Sequence, residues 1–137
     1  MKKIANRIRK YKELKADIVD IDITIQELEE EIIGISGVSF EERTGKTYKI
    51  TSSVEMQSEK HLKEKEKLLR KRSIKEREIE RIDNALTILK EEEKDIILTA
   101  LIEQKKYSLL EIKYNRTYSR IKQIEGEALK KMSKYLS

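Results

Sequence analysis

The sequence predicts an all-α protein: a long N-terminal antiparallel helical hairpin, coiled-coil-like, followed by a C-terminal helix-turn-helix domain. Three observations carry that expectation. The 137 residues include no Pro, so the strongest helix breaker is missing. Charged residues make up 42% of the chain, hydrophobic ones 37% and aromatic ones 5%. That is too little apolar volume for a large compact core, but it suits long helices with narrow apolar stripes. Apolar side chains also recur at steps of three and four over most of the chain, which is the helical period.

The first helix is expected over residues 3–33. Ile4, Ile8, Tyr11, Leu14, Ile18, Ile21, Ile25, Leu28 and Ile32 form its seam, with one short step from Tyr11 to Leu14. Such a seam packs along a partner helix, and the short step is a stammer. Most seam residues are β-branched Ile, so packing rather than propensity must supply the stability. Gly34 and Gly37 are expected to end this helix. The following SGVSFEERTGKTYKITSS has no clean period and reads as a flexible loop over 34–53 at the tip of the hairpin. A second helix is expected over 54–89. Its apolar set is sparse and its middle, KEKEKLLRKRSIKEREIER, is nearly all charge. A run of this kind ordinarily forms a solvated helix face. The thin stripe leaves room for oligomerisation through the hairpin. Domains are therefore drawn at 1–82, an oligomerisation or spacer region, and 83–137.

Charge is unevenly placed. The chain carries 31 Lys and Arg against 26 Asp and Glu, a net of +5. Residues 105–134 hold nine cations and three carboxylates, so the rest of the chain is close to neutral. Tyr107, Tyr114, Tyr118 and Tyr135 lie in or beside the same segment. A basic, Tyr-bearing module beside a near-neutral body is the electrostatic pattern of nucleic-acid binding.

Turn chemistry divides that segment. Residues 83–102 carry Leu86, Leu89, Ile96, Ile97, Ala100 and Leu101. Ser108 is expected to cap the next helix, with Leu109, Leu110 and Ile112 as its apolar face. Asn115 tolerates left-handed backbone and marks a turn. Thr117 is a good N-cap for a last helix whose stripe is Ile121, Ile124, Ala128 and Met132, widened by Leu129. Helix, short turn and basic second helix together read as a helix-turn-helix.

The run RIKQIEGEALKKM at 120–132 resembles the recognition helix of region 4 in primary bacterial sigma factors. The likeness continues more loosely through Leu110, Tyr114, Asn115 and Thr117, and TILKEEEKDII at 87–97 resembles the helix leading in. The whole layout is similar to phage-encoded regulators of late genes, the ArpU/RinA type. This resemblance implies double-stranded DNA as partner, with Tyr118, Ser119, Lys122 and Gln123 facing base edges in the major groove. Gln and Lys suit adenine and guanine acceptors there. It assigns phosphate contacts to Lys113, Arg116, Thr117 and Arg120, which position a protein without reading sequence. Departures exist as well. Tyr118 and Ser119 stand where sigma factors carry Arg and Glu, Glu111 replaces a small residue, and Gly126 replaces Ala. A mid-helix Gly costs ~1 kcal/mol relative to Ala, and close packing on the preceding helix would explain it. No region 2-like aromatic segment is present, so promoter melting is not expected.

One short reading helix suggests a homo-dimer or higher oligomer joined through the N-terminal helices. Host RNA polymerase is a second candidate partner, for a coiled-coil adaptor or assembly protein that does not read DNA specifically. The sequence shows no nucleophile–base pair and no phosphate loop, so no enzyme activity and no cofactor are expected. With no Cys and a single His, His61, which is expected to be exposed, a metal site is not expected either. No stretch approaches the ~20 apolar residues of a membrane helix, so the expected location is the cytoplasm of a bacterial host.

Overall fold

The computed structural model describes residues 2–41 and 47–136, with side chains described for 2–34 and 56–136. The described residues form helices and no strand, so the all-α class holds. In order these are α1 (Lys2–Arg9), α2 (Tyr11–Glu41), α3 (Thr47–Thr87), α4 (Glu91–Ile97), α5 (Tyr107–Tyr114) and α6 (Tyr118–Leu136). A wider π turn, Leu98–Ile102, continues α4. Among the described residues no helix is long and apolar enough to cross a membrane.

Two expectations about the first helix are corrected. Its break falls at Lys10, between α1 and α2, beside the short Tyr11 to Leu14 step. Here the Lys10 amide reaches back only three residues, to the Arg7 carbonyl at 3.3 Å. Gly34 and Gly37 do not end α2, which continues to Glu41. A helical Gly costs about 1 kcal/mol but keeps its amide donor, so it weakens a helix without breaking its hydrogen-bond ladder. Of the loop expected over 34–53, α2 and α3 therefore take all but residues 42–46, which lie outside the described residues.

The chain divides into two compact units. One joins Met1–Ala16 to Lys75–Ser137, and the other is Asp17–Ile74. In the first unit, Ala5 and Ile8 of α1 are buried with Ile82, Leu86, Ile97, Leu101, Ala128 and Met132 in the larger of two clusters. The smaller cluster is Ile96, Ala100, Leu110, Ile121 and Ile124, with Tyr107 and Tyr114 at its edge. The stripe expected on the last helix is thus buried throughout. Two ties attach the N-terminal residues to this unit: Arg7 pairs with Glu78 at 2.7 Å, and the Tyr11 hydroxyl donates to Asp83 at 2.7 Å. A sequence boundary at 82 leaves α1 on the other side, because the seam from Ile4 to Ile32 reads as one helix.

In the second unit the α2 seam buries Ile21, Ile25 and Leu28. Ion pairs join α2 to α3 at Asp22–Arg72 (2.5 Å), Glu29–Lys65 (2.7 Å) and Glu31–His61 (2.7 Å). Their numbering rises on one helix as it falls on the other. His61 is not exposed as expected. Its side chain is 18% accessible, because one ring nitrogen meets the Gln57 carbonyl and the other Glu31.

Candidate nucleic-acid interface

The approach to α6 is built by local chemistry. Asn115 ends α5 in the left-handed region at φ 51°, ψ 50°. Its amide and that of Arg116 both return to the Glu111 carbonyl, the latter at 3.1 Å, which closes the helix end as a Schellman-type cap. Thr117 then accepts the Arg120 amide on its hydroxyl at 3.2 Å, an N-cap as the sequence predicts. Ser108 does not cap α5. That helix already begins at Tyr107 behind Lys106, so Ser108 lies inside its first turn.

With that turn fixed, α6 presents opposite faces. Ile121, Ile124, Ala128 and Met132 point inward, while Ser119, Arg120, Lys122, Gln123 and Gly126 are exposed. Tyr118 is 50% exposed and stands edge-on to Tyr107, with centroids 5.4 Å apart. The four residues assigned to base reading therefore share the first turns of one exposed helix face. They are not equivalent. Lys122 lies over the Tyr107 ring at 5.0 Å and 3.7 Å from Glu125, which draws it toward α5. Among the described residues Ser119 and Gln123 have no such tether.

The four residues assigned to phosphate also separate. Lys113 pairs with Asp95 at 2.7 Å and Arg116 with Glu92 at 2.6 Å, both on α4. Arg120 has no ion pair among the described residues. Thr117 uses its hydroxyl oxygen as acceptor and keeps its O–H to donate. Exposed pairs of this kind contribute at most about 1 kcal/mol, so a phosphate can displace them.

Two buried carboxylates brace the surface, and sequence reasoning missed both. Glu125 accepts the Tyr107 hydroxyl at 2.6 Å. Burial pushes the Tyr107 phenol up, reinforced by Glu125, so it remains a donor. Glu93 accepts the Lys90 amide at 3.1 Å and both its oxygens meet Lys131 at 3.0 Å. Burial pushes this carboxyl up, but the Lys90 amide and Lys131 outweigh it and the net shift is downward. Asp95 is likewise held low, chiefly by Lys113 and by the Tyr114 hydroxyl that donates to it. A carboxylate spaced three from a helix cap, as Glu93 is from Lys90, is the one signal that could have been read beforehand.

Further differences change the picture of the surface. Arg9 was not among the expected residues, yet its carbonyl accepts the Gln104 side chain at 3.5 Å and its charge acts on the Tyr107 hydroxyl. The basic N-terminus thus belongs to the unit that carries α6. Leu109 and Ile112, expected to face inward, are 52% and 81% exposed, and only Leu110 of that trio is buried. Gly126 is not packed on the preceding helix either. A Cβ placed there would meet nothing within 4 Å.

Compared with protein-family models, curated proteins and solved structures, the chain matches none.

Proposed function

We propose that the chain is a sequence-specific DNA-binding transcription regulator, probing the major groove with α6 as the second helix of a helix-turn-helix and controlling phage genes. The observation that carries the reading is how α6 divides the sigma-like string Arg-Ile-Lys-Gln-Ile-Glu. Its two Ile are buried, while its Lys122 and Gln123 are exposed on the face that Ser119 and Tyr118 share. A helix can read base edges only with residues left free by its own core. Arg120 and Arg9 add cationic groups beside that face for phosphates. The antiparallel hairpin of α2 and α3 serves as spacer and oligomerisation element, setting the distance between two reading helices.

The test is selection of genomic DNA fragments by the purified chain. One sequence class should be enriched at moderate salt, with affinity falling steeply as salt rises because phosphate contacts release counterions. Replacing Lys122 and Gln123 together by Ala should abolish the sequence preference while leaving helicity and general DNA retention in place. Unchanged selectivity would remove these residues from the reading face.

A second reading is a coiled-coil adaptor that binds RNA polymerase or another protein without specific DNA reading. The exposed Leu109 and Ile112, beside Lys113 on α5, favour it, since apolar side chains at 52% and 81% exposure suit a protein contact. Retention of polymerase from a host extract cleared of DNA, lost in the Ile112→Ser variant, would support it.

A further inference from the structure

Helix α1 buries one edge and turns a row of cations outward. Residues 2–15 hold seven Lys and Arg against one carboxylate, Glu13, which lies beyond α1. Ala5 and Ile8 are buried with Ala128, Leu129 and Met132 of α6, and Arg7 is engaged by Glu78. Lys2, Lys3, Asn6, Arg9 and Lys10 are exposed. At about 100° per residue, the first four of these share an arc of roughly 120° that excludes Ala5 and Ile8. Lys2, Lys3, Arg9 and Lys10 hold no ion pair among the described residues, and Arg9 donates instead to the Asn6 side chain at 2.9 Å. Cations grouped in this way, with no carboxylate to answer them, raise a local positive potential that attracts an anion.

The position of α1 selects the anion. Gln104, in the left-handed region at φ 52°, donates its side-chain amide to the Arg9 carbonyl at 3.5 Å. The end of α1 is thereby fastened to the turn that leads into α5. Tyr107, at the start of α5, has its hydroxyl within the influence of the Arg9 charge. Tyr107 also meets the exposed face of α6, with Lys122 over its ring at 5.0 Å and Tyr118 edge-on at 5.4 Å. Arg9, Tyr107 and Lys122 thus join two cationic surfaces within one compact unit. A helix lying in a major groove has phosphates on either side of it, so a cationic helix beside its first turns is placed to meet them. A lipid surface is a poorer match. A helix that lies on a bilayer must bury its apolar edge there, and Ala5 and Ile8 are already enclosed by the core.

We infer that α1 is a second nucleic-acid-binding element, with Lys2, Lys3, Arg9 and Lys10 on the phosphates of duplex DNA beside the groove that α6 enters. These contacts add affinity without reading bases. The inference rests on the DNA-binding reading and extends it to a helix outside the helix-turn-helix.

The experiment titrates the full chain against a labelled DNA duplex of arbitrary sequence over a range of salt concentrations, with binding read by fluorescence anisotropy. Two variants are compared, each lacking four exposed cations: Lys2→Gln/Lys3→Gln/Arg9→Gln/Lys10→Gln on α1, and Lys60→Gln/Lys63→Gln/Lys67→Gln/Lys71→Gln on α3. Their net charges are equal, and circular dichroism checks that both keep the helicity of the unaltered chain. The slope of log affinity against log salt should shrink by about 3 to 4 in the α1 variant, since each phosphate contact contributes ~0.9. In the α3 variant it should change by less than about 1. An α1 variant that binds with the slope of the unaltered chain would overturn the inference and leave the DNA reading standing. Equal losses in the two variants would also overturn it, because net charge alone would then account for them. An unaltered chain that binds no duplex would overturn the reading and the inference together, as would binding to phosphatidylserine vesicles in place of DNA.

Discussion

Residues 1–16 together with 75–137 carry 21 Lys and Arg against 13 Asp and Glu, whereas residues 17–74 carry 10 against 13. The first unit buries most of its apolar side chains in two clusters, Leu109 and Ile112 apart, and turns its excess cations outward. The second holds its helices by exposed ion pairs and, among its described residues, leaves more large apolar side chains outside than in. Among the described residues neither contains a strand, and they draw on the same residue types. The difference shows that a high charged fraction has two meanings. Where a core already exists, charge is left over on the surface, and the proposed function has it meet a polyanion. Where one does not, charge selects which helix fits against which.

The comparison is most directly tested by truncating one residue from each unit. Ile121→Ala should destabilise the first unit by about 2–5 kcal/mol, since a fully buried Ile leaves a cavity. Ile23→Ala, at an exposed site, should cost within about 0.5 kcal/mol in a single copy. Chemical denaturation of the two variants checks this, and equal losses would break the contrast. A smaller effect of opposite sign is expected at Gly126. Its replacement by Ala has open space and should stabilise by about 1 kcal/mol, read as a higher denaturation midpoint. If DNA affinity falls while stability rises, the Gly serves the partner rather than the fold.

The smallest effect is a pH dependence. Burial, then the bond to Asp95, pushes the Tyr114 phenol from 10.0 up to about 12. A folded pKa above the unfolded one means that this stability is complete below pH 10 and is lost as pH rises toward 12. Asp95 is shifted the other way, so its share is complete above its ordinary 3.8 and is lost as pH falls below that. Tyr114→Phe should flatten the alkaline limb and leave the acid limb largely in place, as followed by circular dichroism across pH. The bond is charge-assisted, since Asp95 is ionised, and its partly exposed site keeps its contribution on the order of 1 kcal/mol.

What the sequence disclosed follows the range of the physics involved. Asn115 and Thr117 were legible because a left-handed turn and an N-cap are settled within a few residues. The α6 stripe was legible because Ile121, Ile124, Ala128 and Met132 keep one helical face. Leu109 and Ile112 were not, since apolar character says nothing about which side of a short helix meets the core, and here only Leu110 does. The placement of α1 was hidden for a related reason: its seam continues into that of α2 without a change of period. Cation counts along the chain also missed the carboxylates that answer them. Asp95 and Glu92 meet Lys113 and Arg116 across 18 and 24 residues, a distance no local pattern reports.

The wide turn at Leu98–Ile102 has one more consequence. Its closing bond runs from the Glu103 amide to the Leu98 carbonyl at 2.8 Å, one residue longer than an α turn. The surplus residue acts as a phase adjuster. Just before it, Ile96 and Ile97 diverge to the smaller and larger clusters; through it, Ala100 follows Ile96 while Leu101 and Ile102 follow Ile97. Removing one residue there would return the segment to the 3.6-residue period and turn everything after it by about 100°. Helix α6 would then be aimed elsewhere with no change to its own sequence, so the length of a buried turn sets the bearing of an exposed helix face.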